Sequence, residues 1–147
     1  MSDTTTAPYV RYEVGDGIAT LTLDSPHNRN ALSSRLVAEL LGGLDDAAAD
    51  PAVRAIVLAH TGNTFCAGAD LSEAGDADPA VAADERTRSM IGVLRRLVEI
   101  PKPVVARIDG NVRAGGMPPC HGTVMLSINR IRPLKRYISA TSSNTAS

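Results

Sequence analysis

TGNTFCAGADLSE, residues 61–73, is a run of small residues and turn formers that follows directly on RAIVLAH, residues 54–60, a short apolar and β-branched segment. The apolar run suits a strand buried on both faces, and the small-residue run suits the loop that leaves it. A turn built of Ala and Gly lets main-chain amides approach a ligand closely, because no bulky side chain intervenes. Two such amides converging on one oxygen form an oxyanion hole. A second segment of the same design lies downstream: PVVARI, 103–108, reads as another buried strand and runs into DGNVRAGGM, 109–117. Open α/β sheets place their ligands beyond the carboxyl ends of the strands, where both of these loops fall.

Working outward, YVRYEV (9–14) and GIATLTL (17–23) alternate and are rich in β-branched and aromatic residues, with Gly15, Asp16 and Gly17 between them. They predict a β-hairpin. After the polar loop DSPHNRN (24–30), Leu36, Val37, Leu40, Leu41, Leu44, Ala47 and Ala48 recur at helical spacing behind Ser33 as N-cap. Gly42 and Gly43 each weaken this helix by roughly 1 kcal/mol relative to alanine, so it depends on packing. Met90, Ile91, Leu94, Leu97 and Val98 mark a second amphipathic helix, ended by Pro101 and Pro103. The order β-β-α-β, then α-β, makes the class α/β.

The 147 residues need no more than one domain, and 44% hydrophobic with 21% charged residues is ordinary for a soluble chain. A formal net charge of −1 argues against nucleic acid as a partner. No stretch approaches the ~20 apolar residues of a membrane span, and the polar start MSDTTTAP lacks an apolar signal core, so the expected location is cytoplasmic, with no membrane partner. Cys66 and Cys120 have no CxxC spacing and read as reduced thiols, and no metal site is expected. Cys66 reads as packing rather than as a nucleophile. His60 and His121 have no partner at metal or triad spacing and read as inert.

Four stretches, in order, carry a resemblance: DSPHNRNAL (24–32), FCAGADLSE (65–73), IPKPVVARIDG (100–110) and RAGGM (113–117). Together they resemble the enoyl-CoA hydratase/isomerase family, the crotonase superfamily, over residues 8 to 117. The resemblance implies a crotonase-type ββα spiral. It also implies that the amides of Ala69 and Gly115 hold the thioester carbonyl oxygen of an acyl-CoA and stabilise its enolate. His27, Asn28 and Arg29 would match pantetheine- and phosphate-side positions, with Ala67 near the adenine, and Asp70, Leu71 and Ser72 would flank the acyl pocket. No cofactor is implied beyond the CoA of the substrate, and members form homotrimers or hexamers.

The sequence departs from that pattern after Met117. Residues 1–117 hold all sixteen acids against eleven basic residues, a net of −5, whereas the last thirty hold Arg130, Arg132, Lys135 and Arg136 and no acid. The family's hydratases carry a catalytic glutamate three residues after the oxyanion glycine, here Pro118, and another about twenty residues later, where Lys135 and Arg136 stand. Three segments are therefore expected: a flexible N-terminus at 1–8, a truncated spiral at 9–117, and a disordered tail at 118–147. The change at Met117 and the early stop read as a frameshift, a gene disruption or a misassigned frame. The product is expected to be poorly active or inactive, and the competing reading is a non-enzymatic pseudoenzyme fragment or gene remnant.

Overall fold

The computed structural model describes residues 7–74, 78–112 and 123–127. Strands β1 (Val10–Gly15) and β2 (Ile18–Leu23) form the expected antiparallel hairpin. Its two turn residues, Asp16 and Gly17, lie at φ 52° and 79°. Positive φ at both central positions is what a tight turn matched to strand twist requires.

Helix α1 (Ser34–Ala49) starts where the sequence places it: the Ser33 Oγ accepts the Leu36 N–H at 3.2 Å. It buries Leu36, Val37, Leu40, Leu44 and Ala47 against the sheet, the i, i+4 stripe of an amphipathic helix. Gly43 lies on the buried face, where an added Cβ would sit 2.8 Å from Leu21 Cδ2. The missing side chain thus lets the helix lie close on β2. Fully burying each of Leu21, Leu36, Leu44, Ile56 and Val104 contributes roughly 1.5–3 kcal/mol, which offsets the two helix glycines.

Strand β3 (Ala55–His60) runs parallel to β2, as a β-α-β crossover dictates, in register from Ile18–Ala55 to Leu23–His60. The short strand β4 (Thr64–Cys66) follows, and then helix α2 (Pro79–Glu99). Asp78 caps α2 by accepting the Ala80 N–H at 2.8 Å, with Pro79 in the first turn. Strand β5 (Val104–Asp109) pairs parallel with β3, and β6 (Asn111–Val112) pairs parallel with β4. Strand β7 (Thr123–Ser127) pairs antiparallel with β5. The main sheet order is β1-β2-β3-β5-β7, with β4-β6 as a second, two-stranded sheet.

Two expectations are revised. Of the apolar residues assigned to the face of α2, Leu97 is buried, Met90 is intermediate, and Ile91, Leu94 and Val98 are exposed, the last at 63%. The inward face is instead Val93, Leu97 and Ile100, spaced i, i+4, i+7, and Ile91, Leu94 and Val98 form a second stripe about a third of a turn away. Within the segment read as a disordered tail, Thr123–Ser127 is strand, in keeping with a TVMLS sequence that has an apolar centre and carries the β-branched Thr123 and Val124. The remainder of 118–147, and residues 1–6 of the expected flexible N-terminus, lie outside the described residues. No described helix is long and apolar enough to cross a membrane.

Candidate active site

The carboxyl ends of β2, β3 and β5 open into three loops that the fold gathers in one place. The β3 loop and the β5 loop are joined by the β4–β6 ladder, through Thr64–Asn111 and Cys66–Val112. Gly110, at φ 128°, lets that joint close: a Cβ there would lie 2.6 Å from the Asn63 carbonyl oxygen. The first small-residue segment and the described part of the second, residues 109–112, are therefore neighbours.

The β2 loop reaches the same place by a single bridge. Leu32 N–H donates to the Gly68 carbonyl at 2.8 Å, and Asp70 N–H donates to the Leu32 carbonyl at 3.3 Å. In a parallel bridge of this kind the residue between the two bonded groups turns its own N–H and C=O the other way. That residue is Ala69. It is half-buried, and among the described residues its N–H has no acceptor. A partly buried amide that the backbone holds away from its neighbours can receive an external oxygen, since an orphaned N–H costs free energy until it is paired. Gly115 lies outside the described residues.

Asp70 follows immediately and is spent on the loop itself. Its Oδ1 accepts the Ser72 Oγ–H at 2.6 Å and the Ser72 N–H at 2.9 Å, and its Oδ2 accepts from Asn28 Nδ2 at 3.1 Å. The Ser72 hydroxyl and amide, helped by Asn28, hold its carboxyl below the usual aspartate range against the opposing effect of burial. It thus stays an anion that ties residues 28 and 72 together, while Leu71 beside it is 71% exposed. On the β2 side His27 stands edge-on to the Tyr9 ring, with centroids 5.4 Å apart. Arg29 is exposed, at φ 58°, and makes no ion pair among the described residues. Ala67 is half-buried in the β3 loop. Cys66 is pushed up in pKa by burial, with the Gly68 N–H on its Sγ at 3.3 Å acting against that, which fits packing and not nucleophilic attack. Among the described residues no group of three or more His, Cys, Asp or Glu could hold a metal ion.

Two residues carry more of this geometry than their sequence context announces. Asn30 is completely buried at φ 54°: its Oδ1 accepts the Ser25 N–H at 2.7 Å, and its Nδ2 donates to the carbonyls of Thr61 at 3.1 Å and Thr64 at 2.9 Å. It pins the β2 loop to the β3 loop. His60, read from the sequence as inert, is 8% exposed and accepts the Asp109 N–H on Nε2 at 2.9 Å. The signal available for Asn30 was its place after Arg29 in a turn, where asparagine tolerates positive φ. For His60 there was none.

The model of the enoyl-CoA hydratase/isomerase family matches residues 13–118, most of the chain and all three loops. The chain belongs to the enoyl-CoA hydratase/isomerase family. A solved enoyl-CoA hydratase from Mycobacterium avium is 53% identical, with a TM-score of 0.65, over 73% of this chain and 41% of that one. A solved enoyl-CoA hydratase/isomerase from Xanthobacter autotrophicus Py2 is 31% identical, with a TM-score of 0.63, over 70% of this chain and 39% of that one. A Thermus thermophilus protein carrying an enoyl-CoA hydratase name is 40% identical over 102 residues, 67% of this chain and 40% of its own length. The chain thus spans about 40% of the length of the relatives it matches, and the likeness bears out the crotonase-type α/β fold.

Proposed function

We propose that residues 9–117 supply the thioester-binding face of an enoyl-CoA hydratase/isomerase site. The observation that carries this reading is the Ala69 N–H, which the Leu32 bridge turns outward and leaves without an acceptor among the described residues. An acyl-CoA carbonyl oxygen accepts from it, with the Gly115 amide as the second donor that the family resemblance implies, and the charge that develops on that oxygen as the enolate forms is stabilised by hydrogen bonds of this kind. His27, Asn28 and Arg29 face the pantetheine and phosphates, with Ala67 towards the adenine. Leu71 and Ser72, held by Asp70, border the acyl chain.

Hydration itself needs more than this face. Adding water across an enoyl double bond takes a carboxylate to activate the water and an acid to protonate the α-carbon. Pro118 stands at the first of the family's two positions for these groups, Lys135 and Arg136 stand near the second, and residues 118–147 contain no acid. We therefore propose that this chain on its own binds the thioester without hydrating it. The test is loss of the conjugated enoyl absorbance when the protein is added to crotonyl-CoA and to a longer enoyl-CoA, with Ala69→Pro as control. No turnover is expected. Turnover that Ala69→Pro abolishes would contradict the proposal, because it would show a complete catalytic site in these 147 residues. The absence of acids after Met117 also favours a second reading, a non-catalytic fragment, which predicts no preference for a thioester over free CoA.

A further inference from the structure

We propose that His60 is a positioning residue of the thioester site, a side-chain joint that acts beside the β4–β6 ladder to set the spacing of the three loops; the inference rests on the reading of Ala69 as an oxyanion donor. The β3–β5 ladder runs from Ile56–Val104 to Leu58–Ala106 and stops there, although both strands continue. Beyond that point they part, and the β4–β6 pair grows from the loops that follow them. A strand end that leaves its ladder strands its N–H groups unless something else accepts them. At Asp109, the last residue of β5, the acceptor is the His60 imidazole, whose Nε2 takes the Asp109 N–H at 2.9 Å. The side chain spans a gap that the backbone ladder no longer closes.

Both ring nitrogens are committed. Because Nε2 accepts, it carries no proton, so the neutral ring holds its proton on Nδ1, which faces the Thr61 carbonyl at 3.3 Å. The same Thr61 carbonyl accepts from Asn30 Nδ2, and Asn30 in turn holds the Ser25 N–H. A continuous chain of bonds therefore runs from the β2 exit at Ser25, through Asn30, Thr61 and His60, to the β5 exit at Asp109. The Phe65 ring stands edge-on to the imidazole at 5.6 Å and 82°, which fixes the ring plane from the β3 loop. Ala69 hangs from the β3 loop, so the placement of this proposed donor relative to the β5 exit at Asp109 depends on this ring. With neither nitrogen available to substrate, His60 positions and does not transfer protons.

The experiment uses the 147-residue chain as wild type, His60→Leu and His60→Gln, the last able to accept with Oε1 and donate with Nε2. Long-range proton–nitrogen spectra of the imidazole report the tautomer, and amide exchange reports Asp109. In parallel, affinities for acetoacetyl-CoA and free CoA are measured on each variant. Expected are an unprotonated Nε2, a thioester-over-CoA preference that falls about tenfold in His60→Leu, as for a displaced oxyanion donor, and substantial recovery in His60→Gln. Free-CoA affinity should stay within about twofold, since a donor displaced at the carbonyl leaves CoA contacts in place. A protonated Nε2 overturns the proposal on wild type alone, whether or not His60→Leu folds. An unchanged preference in a folded His60→Leu overturns it as well. A wild type with the expected tautomer but no thioester preference overturns it through the underlying site reading, so the two failures are told apart.

Discussion

The Leu32 N–H donates to the Gly68 carbonyl at 2.8 Å, and this bond decides which way the next peptide points. With the Asp70 N–H returning to the Leu32 carbonyl, the Ala69 amide between them has no choice but to face away from the β2 loop. The loop that begins α1 therefore leaves Arg29 exposed and at the same time aims a backbone N–H of a different loop. The same coupling makes the site sensitive to buried residues that touch no ligand.

Asn30 is the first of these. Asn30→Leu removes three side-chain bonds and strands the Ser25 N–H and the Thr64 carbonyl in a buried setting. Leaving such groups unpaired costs roughly 1–3 kcal/mol each, so a loss of about 3 kcal/mol is expected. The measurement is the urea midpoint. A loss below about 1 kcal/mol would mean that water replaces these bonds without penalty.

The glycines separate cleanly. Gly42 is exposed on α1, and a Cβ there would meet nothing within 4 Å, so Gly42→Ala should stabilise the chain by about 1 kcal/mol. Gly110→Ala combines φ 128° with a Cβ 2.6 Å from the Asn63 carbonyl oxygen, and should cost roughly 2 kcal/mol or more. Thermal unfolding of the two variants should move in opposite directions, and a shared direction would refute the assigned joint between the β3 and β5 loops.

Acid sensitivity follows from two carboxylates. Asp70 is held low by Ser72 first and Asn28 after it; for Glu39, burial pushes upward but is outweighed by the N–H groups of Val10 and Tyr9 and by Arg35. A folded pKa below the unfolded value, about 3.9 for Asp and 4.3 for Glu, means that the unfolded chain takes up protons first as pH falls. The stabilisation is fully present above the unfolded values and is lost as pH drops through the folded ones. Unfolding midpoints measured from about pH 6 downwards should hold steady and then decline below roughly pH 4. Asp70→Asn and Glu39→Gln should each flatten that decline, and a variant as acid-labile as wild type would exclude its carboxylate as a source.

The exposed stripe of α2 gives a fourth handle. Ile91, Leu94 and Val98 are each more than half exposed on one side of the helix, a contiguous apolar strip that water disfavours. Purified protein should self-associate in a concentration-dependent way, and Leu94→Lys with Val98→Glu should reduce this. Sedimentation showing a single monomer across the concentration range, before any substitution, would rule the prediction out.

How much of this was legible in the sequence depends on the kind of residue. Alternation located β2, helical periodicity located α1, and short apolar, β-branched runs located β3 and β5, each to within a residue or two, and Ser33 announced the start of α1. On α2 two apolar stripes share the helix, and their spacing alone cannot say which one faces the core; Val93 and Ile100 decide it by packing. The small-residue loops pointed to the place where amides are exposed. The outward turn of Ala69, however, is set by Leu32, thirty-seven positions away, and no local pattern encodes a bridge of that span. His60 was opaque for the same reason, and the context of Asn30 announced only a turn, since each matters through partners on other loops.

The proposed thioester site stands or falls on the Ala69 amide. Isotope-labelled protein titrated with acetoacetyl-CoA and, separately, with free CoA would follow that one N–H resonance. If the thioester carbonyl accepts from it, the Ala69 proton moves downfield on adding the thioester and stays in place with free CoA, while resonances of the 27–29 loop respond to both ligands. An Ala69 signal that is indifferent to the thioester while the 27–29 loop still reports binding would contradict the account, because the ligand would then be held without the donor that the Leu32 bridge turns outward.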